Sequence, residues 1–173
     1  MLTRPDRSEY ADFYTNYIAG VPEGNVLDFL AKQPGDYRQL LVGISEEAAS
    51  AAPAAGKWSV KQMLGHVCDA ERVMGYRALR FSRGDGTELP GFEQDDYVRE
   101  ASSNSRSLDD LLDEFESVRK ATLALFRSLP PGAENRRGMA NKNPVTVRAL
   151  AYIAAGHAKH HYEVLKKRRA GAS

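Results

Sequence analysis

Cysteine is almost absent from this sequence. Cys68 is the single cysteine, so an internal disulfide and a metal site built from several cysteines are both excluded. Long apolar runs are absent as well. No segment approaches the ~20 residues that a membrane-spanning helix requires, and the first residues do not resemble a secretory signal. We therefore expect a cytoplasmic protein that has no membrane partner.

The chain also lacks an excess of charge of either sign. It carries 24 Lys and Arg against 23 Asp and Glu in 173 residues. A surface without a dominant electrostatic field argues against nucleic acid as a partner. This length suffices for one domain with a full core. We expect residues 1–173 to form a single domain, with an N-terminal arm over residues 1–20 and a core over about residues 20–169.

Alternation with a period of two residues is a third absence. No segment alternates apolar and polar residues for long enough to predict a β-strand. Helical spacing is frequent instead, and four amphipathic runs predict an all-α fold, a four-helix bundle. The predicted helices cover about residues 23–44, 59–82, 107–129 and 145–169.

Several helix ends are predicted by local signals. Ser59 and Gln62 form a capping box at the start of the second helix, and Ser107 is a good N-cap for the third. Pro34 lies inside the first predicted helix. Because proline removes a backbone donor and clashes with the preceding turn, we expect a kink or a break there.

The connection between the second and third predicted helices is long, at about 24 residues. At ~3.3 Å per residue it can return along the whole length of a helix of roughly 35 Å. Such a crossover leaves helices two and three parallel and helices two and four antiparallel. The sequence therefore predicts an up-down-down-up order.

Three of the four histidines lie close together in the fourth predicted helix: His157, His160 and His161. Residues four apart share one face of a helix, so His157 and His161 can offer ring nitrogens to a common ion, whereas His160 falls towards the margin of that face. A pair made of His157 and His160 is an alternative, and so is a surface pair or a hydrogen-bonded core pair that binds no ion.

The fourth histidine, His66, lies about seven residues after the start of the second helix. His161 lies about eight residues before the end of the fourth, so antiparallel helices bring the two to the same depth within about one turn. We therefore predict that His66, His157 and His161 hold one divalent metal. Three neutral imidazoles leave a coordination position open, which suits a catalytic zinc or nickel ion.

Two further residues are secondary candidates. Asp69 follows His66 by one helical turn and could orient a ligand imidazole or accept a proton, although an ordinary solvated carboxylate is the alternative. Arg77 lies on the same helix face, where a guanidinium could bind a substrate carboxylate. It could equally pair with an acid such as Glu71 or Asp110.

A series of short motifs runs along the chain. They are KWSV at 57–60, GHVCDAER at 65–72, YRALR at 76–80, LPGF at 89–92, RALAY at 148–152 and GHAKHH at 156–161. In this order they resemble the DinB-like, or YfiT-like, superfamily of metal-dependent enzymes over about residues 20–169. The resemblance implies an up-down-down-up bundle, a homodimer, and a divalent metal on three histidines that correspond to His66, His157 and His161.

The resemblance also carries expectations about chemistry. Its relatives include bacillithiol-dependent transferases and mycothiol-dependent isomerases, which implies a low-molecular-weight thiol cofactor and a small-molecule substrate. We therefore expect a metal-dependent thiol transferase or hydrolase that acts on a small electrophile. The alternative is a non-catalytic, metal-binding dimer in stress response or interaction. Pro34 and the Lys159-His160 pair depart from the usual family pattern and leave the substrate contacts open.

Overall fold

A computed structural model of the chain describes residues 2–171. Its helices and strands, numbered in chain order, are α1 (Thr15–Gly20), α2 (Val26–Leu41), α3 (Glu46–Ser50), α4 (Val60–Ser82), α5 (Gln94–Glu100), α6 (Leu108–Arg127), β1 (Arg137–Ala140), β2 (Asn143–Thr146) and α7 (Val147–Gly171). The four long helices α2, α4, α6 and α7 form the predicted bundle. Among these residues, no helix combines the length and apolar character needed to cross a membrane.

α4 and α6 begin where the capping residues in the sequence predicted. The Ser59 hydroxyl accepts from the backbone N–H of Gln62 at 3.1 Å, and the Gln62 side chain accepts from the backbone N–H of Ser59 at 3.0 Å. The Ser107 hydroxyl accepts from the backbone N–H of Asp110 at 3.1 Å. These bonds satisfy donors that have no partner inside the helix, and each helix begins at the next residue.

Of the kink or break expected at Pro34, the break does not occur, because α2 continues through this residue. Proline has no N–H, so the carbonyl of Leu30, four residues earlier, loses its helical donor. Arg119 replaces that donor: its Nη1 donates to the Leu30 carbonyl at 2.6 Å. A residue of α6 thus satisfies the carbonyl that the proline exposes, and the helix is kept.

The expectation that the chain has no strands was also wrong. β1 and β2 form an antiparallel hairpin between the third and fourth predicted helices, and β2 includes the first two residues predicted for the fourth helix. Its turn residues, Asn141 and Lys142, both have positive φ angles, of 51° and 62°. Strands of four residues, one of them containing Pro144, are too short to produce a recognisable alternation in the sequence.

A buried polar layer crosses the middle of the bundle. Arg119 of α6 binds both carboxylate oxygens of Glu71 of α4, at 2.7 and 2.6 Å, and also donates to the side-chain oxygen of Gln33 of α2 at 2.6 Å. The Gln33 amide nitrogen in turn donates to the carbonyl of Ala155 in α7 at 2.8 Å. All four bundle helices therefore meet in one hydrogen-bonded layer.

Two apolar clusters lie on either side of this layer. One contains residues from the first half of α2 and α7 and the second half of α4 and α6, together with the arm and the hairpin. The other contains residues from the second half of α2 and α7 and the first half of α4 and α6. The start of α4 thus lies beside the end of α7, where Arg168 donates to the carbonyl of Trp58 at 2.8 Å.

The N-terminal arm packs on α7 at a glycine. A Cβ atom added at Gly156 would lie 2.0 Å from the backbone oxygen of Tyr17, so only glycine permits this approach. Arg4 holds the end of α1 in place, because its guanidinium donates to the carbonyls of Ile18 and Val21 at 2.6 and 2.7 Å. The arm is therefore a fixed wall beside the histidine segment of α7.

Candidate metal centre

The structure brings together the three histidines that the sequence singled out as ligands. His66 projects from α4, and His157 and His161 project from successive turns of α7. All three are buried, with exposed fractions of 3%, 7% and 8%. One ligand atom from each lies within 4.8 Å of the others. His160 is exposed and stands outside this cluster, beside His161.

The ring nitrogens converge at distances that suit one ion. Nε2 of His157 lies 3.0 Å from Nε2 of His66 and 3.1 Å from Nε2 of His161. A zinc ion bound at ~2.0–2.1 Å to each nitrogen would place its ligands roughly 3.3 Å apart. A hydrogen bond between two imidazoles also has such a length, but where facing nitrogens both present lone pairs they repel one another, and a cation between them would remove that repulsion. The donor set therefore fits a divalent metal.

Burial keeps these imidazoles neutral, which is the form that binds metals. Desolvation lowers the pKa of His66 to about 4, a fall that the nearby charge of Asp95 opposes. Desolvation likewise lowers the pKa of His161 to about 3, and His66 adds to the fall. The pKa of His157 lies well below its ordinary value because of desolvation, followed by the effect of His161.

Two aromatic side chains enclose the cluster. The Trp58 ring centre lies 4.7 Å from that of His66 and 6.4 Å from that of His161, the latter in a stacked arrangement. From the opposite side, the Tyr17 ring meets that of His157 edge-on at 5.5 Å. These rings limit the access of solvent to the nitrogens.

A cleft of about 300 Å³ opens onto two of the three histidines. His66 and His157 form its inner end. Its other lining residues come from the arm, α4, the segment before α5 and the hairpin turn: Phe13, Tyr14, Tyr17, Ala70, Met74, Arg77, Gly91, Phe92, Glu93, Gln94 and Asn141. A molecule in this cleft would lie beside two of the three histidines.

Asp69 and Arg77, the secondary candidates, occupy different places. The Asp69 carboxylate lies 3.5 Å from the Arg72 guanidinium and is not part of the cleft wall. This placement argues against a role beside the histidines. Arg77 does line the cleft, is 5% exposed, and donates from Nη2 to the carbonyl of Pro90 at 2.8 Å. Of the acids considered for Arg77, Glu71 pairs with Arg119 instead.

Two ring nitrogens that face away from the cluster lack a hydrogen-bond partner among the described residues. Nδ1 of His66 and Nδ1 of His161 are buried and have no hydrogen-bond partner among residues 2–171. Metal-bound histidines usually donate this N–H to a carboxylate, a carbonyl or a water. In this region of the described chain, no carboxylate has taken the orienting role predicted for Asp69.

Sequence reasoning missed most of the cleft wall. Tyr14 and Tyr17 belong to the N-terminal arm, to which the sequence analysis gave no functional role, yet they line the same cleft as His66 and His157. Asn141 reaches the cleft through the hairpin, whose strands carried no sequence signal. The negative charge of Asp95 in α5 opposes the fall that desolvation causes in the pKa of His66, and nothing in the sequence between α4 and α5 indicated that these two residues would be neighbours. The aromatic composition of the arm was the one available indication.

Two solved structures share this fold. YfiT from Bacillus subtilis, described as a probable metal-dependent hydrolase with an unusual four-helix bundle topology, superposes with a TM-score of 0.72 at 16% identity over 97% of this chain and 94% of that chain. The mycothiol-dependent maleylpyruvate isomerase superposes with a TM-score of 0.68 at 12% identity, over 86% of this chain and 62% of that chain. At these identities the likeness establishes the fold alone.

Sequence comparison gives the family directly. No curated protein sequence gives a significant match. A family model does match, over residues 30–165, which is more than half of the chain. This match confirms the resemblance carried by the motifs: the chain belongs to the DinB superfamily.

Proposed function

We propose that this protein is a metal-dependent enzyme in which His66, His157 and His161 hold one divalent ion, zinc or nickel. The substrate is a small electrophile, and the attacking nucleophile is a water or a low-molecular-weight thiol. The observation that carries this proposal is the cleft that reaches His66 and His157. A structural metal site is closed by protein ligands, whereas a catalytic site keeps a position open to substrate.

A bound divalent ion would supply Lewis acidity, which makes a water or a thiol nucleophilic near neutral pH. Residues of the chain would exclude solvent and would keep the ligands neutral. Trp58 and Tyr17 exclude bulk solvent from two sides of the histidines. Burial keeps all three imidazoles neutral, and therefore available as ligands, by lowering their pKa values.

Arg77 is proposed to bind an anionic group of the substrate. Its guanidinium is buried in the cleft wall, on the same helix as His66, where it would orient a carboxylate relative to the metal. The placement of Asp69 beside Arg72 gives no support to Asp69 as a proton acceptor, so no residue is assigned that role.

The choice between water and thiol rests on the neighbours. YfiT is described as a probable metal-dependent hydrolase, and the isomerase depends on mycothiol. Both nucleophiles are therefore part of the proposal, and the cleft volume of about 300 Å³ favours a small reaction partner with either of them.

Two structural expectations belong to the same proposal. The up-down-down-up order is supported by contacts of α4 with the opposite end of α7, and by the neighbouring bundle of unusual topology. The homodimer follows from the family and predicts twice the mass of the 19.1 kDa chain in light scattering. A monomer at all accessible concentrations would contradict the dimer without affecting the metal site.

The test begins with metal analysis of protein purified without a histidine tag. We expect about one zinc or nickel ion per chain, lost in His157→Ala and kept in His160→Ala. Metal-loaded and metal-free protein are then compared for hydrolysis of activated esters and for consumption of a model electrophile with several low-molecular-weight thiols. A metal-dependent rate in either assay supports the enzyme. Bound metal with no rate in any assay would favour the non-catalytic alternative, and absence of metal would refute the shared site.

A further inference from the structure

The cleft has an aromatic wall that leads to the histidines. The ring centres of Phe13 and Tyr14 lie 4.2 Å apart, those of Tyr14 and Tyr17 lie 6.4 Å apart, and Tyr17 continues to His157 at 5.5 Å. Phe92 adds another ring to the lining. Flat, polarisable surfaces of this kind pack best against another ring system, in offset or edge-on contact.

The same cleft contains a buried cation that lacks a protein counter-ion. Arg77 forms no ion pair with any carboxylate of residues 2–171; its Nη2 donates to the carbonyl of Pro90, and the Tyr14 hydroxyl lies beside it. Arg119, the other deeply buried arginine, is in contrast bound through two nitrogens to Glu71. Burying a charge without a partner is costly, so an anion that enters the cleft would gain the interaction that the fold leaves open.

Spacing along α4 limits the shape of that anion. The Cα atoms of His66 and Arg77 are about 16 Å apart along the helix axis; the Arg77 side chain, which leans towards the helix N-terminus, covers part of that distance, and a ligand must cover the remainder. A molecule that contacts Arg77 and also places a group beside His66 is therefore elongated, which excludes compact anions such as acetate or carbonate. The volume of about 300 Å³ stands at the lower limit of small-molecule sites and favours a small ligand over a nucleotide or a polymer.

We propose that the cleft selects an elongated aromatic carboxylate, with the carboxylate on Arg77, the ring against Tyr14 and Tyr17, and the opposite end directed to the histidines. This inference names the substrate class of the proposed enzyme and in that sense rests on the proposed function. Its binding component depends on cleft residues alone, so it can be measured whether or not a metal is present.

Trans-cinnamate is the probe, compared with cinnamyl alcohol, which keeps the ring and loses the charge, and hexanoate, which keeps the charge and loses the ring. Calorimetry on metal-loaded and metal-free protein measures the dissociation constants. We expect cinnamate to bind at least tenfold more tightly than either analogue in both forms. Equal affinity for hexanoate and cinnamate would overturn the aromatic part, and equal affinity for the alcohol and cinnamate would overturn the anionic part.

Substitutions test which residues cause the preference for a charged ligand and which cause the preference for an aromatic ligand. Arg77→Gln should remove the advantage of cinnamate over the alcohol, while Tyr14→Leu should remove its advantage over hexanoate. Arg77→Lys keeps the positive charge but loses the planar guanidinium, so it should retain part of the advantage of cinnamate over the alcohol. It provides a second test of the charge if Arg77→Gln folds poorly. Arg99→Gln, on α5 and outside the cleft wall, makes the same change of charge and should alter neither preference.

The two hypotheses fail in different ways. Loss of both cinnamate preferences in a protein that binds metal and turns over another electrophile would refute the substrate class alone. Cinnamate binding with these preferences, in a protein that takes up no metal, would refute the proposed function and keep the binding site. Unchanged preferences in Arg77→Gln would overturn the assignment of the anion to Arg77.

Discussion

Gln33 joins Arg119 to the helix that carries the histidine pair. Its side-chain oxygen accepts from Arg119, and its amide nitrogen donates to the carbonyl of Ala155, two residues before His157. One turn later on α2, the Tyr37 hydroxyl donates to the carbonyl of Ala158 at 2.6 Å. The rotation of α7 about its own axis, which decides where the imidazoles point, is therefore fixed from α2 and α6.

Arg119→Met should be strongly destabilising. It would leave Glu71 buried without its counter-ion and the Leu30 carbonyl without a donor, and breaking a buried ion pair on one side costs about 3–5 kcal/mol. Urea denaturation would measure the loss. The double variant Arg119→Met, Glu71→Leu should recover part of it, because the uncompensated charge is then gone. A loss below about 1 kcal/mol in the single variant, as for an exposed ion pair, would contradict the role given to this layer.

The single tryptophan should report metal binding. Trp58 lies 4.7 Å from His66, so Ni²⁺ or Co²⁺ at the three histidines would quench its emission efficiently. We expect saturable quenching with one equivalent of ion in a fluorescence titration, and loss of that quenching in His66→Ala. His160→Ala is the matched control and should titrate like the unmodified protein. Equal quenching in both variants would place the ion elsewhere.

Metal should also stabilise the fold. Free ion at one hundred times its dissociation constant adds ~2.7 kcal/mol to the free energy of unfolding, which raises Tm by roughly 5–10 °C for a chain of this size. Differential scanning calorimetry with and without a chelator measures the shift. His161→Ala should abolish it. A shift of the same size in that variant would show that the ion binds without His161.

Stability should fall in acid through Glu9. Hydrogen bonds from Arg148 lower the pKa of this carboxylate from 4.5 to about 2, against the opposing effect of burial. Because the folded-state pKa is the lower one, the contribution is complete above about pH 5 and is lost as the pH falls towards 2; it is about 3 kcal/mol. Denaturation measured between pH 2 and pH 7 should show a shallower slope for Glu9→Gln. Glu88→Gln, at an exposed position, should leave the slope unchanged.

Two glycine substitutions separate close packing from helix propensity. Gly156→Ala would push a Cβ against the Tyr17 backbone and should cost about 1–3 kcal/mol while loosening the arm. At Gly75, also inside a helix, an added Cβ would meet the Thr122 hydroxyl at an ordinary 3.9 Å, so Gly75→Ala should be neutral or stabilising by about 0.5–1 kcal/mol. Thermal melts and limited proteolysis of the arm would compare the two. An equally tolerated Gly156→Ala would mean that the arm does not depend on this contact.

The sequence predicted what local rules determine. Ser59 and Ser107 gave helix starts because a cap acts on the residues beside it, and the spacing of His157 and His161 gave one helix face. Pro34 does not break its helix because Arg119, 89 positions after Leu30, supplies the missing donor to the Leu30 carbonyl, and nothing near the proline indicates this partner. The surroundings of Asp69 could not be derived for a related reason. The spacing of residues in the sequence shows which of them share a helix face. It does not show which other helix packs against that face.

The two apolar clusters separated by the Arg119 layer have a consequence for synthesis of the protein. Each of the four bundle helices contributes one half of its length to each cluster. No shorter piece of the chain therefore contains a finished core, and both cores remain incomplete until α7 has left the ribosome. The histidine pair arrives on that same last helix, so the proposed metal ligands are assembled in the step that completes the fold, and an ion bound at that moment would act on folding as well as on chemistry.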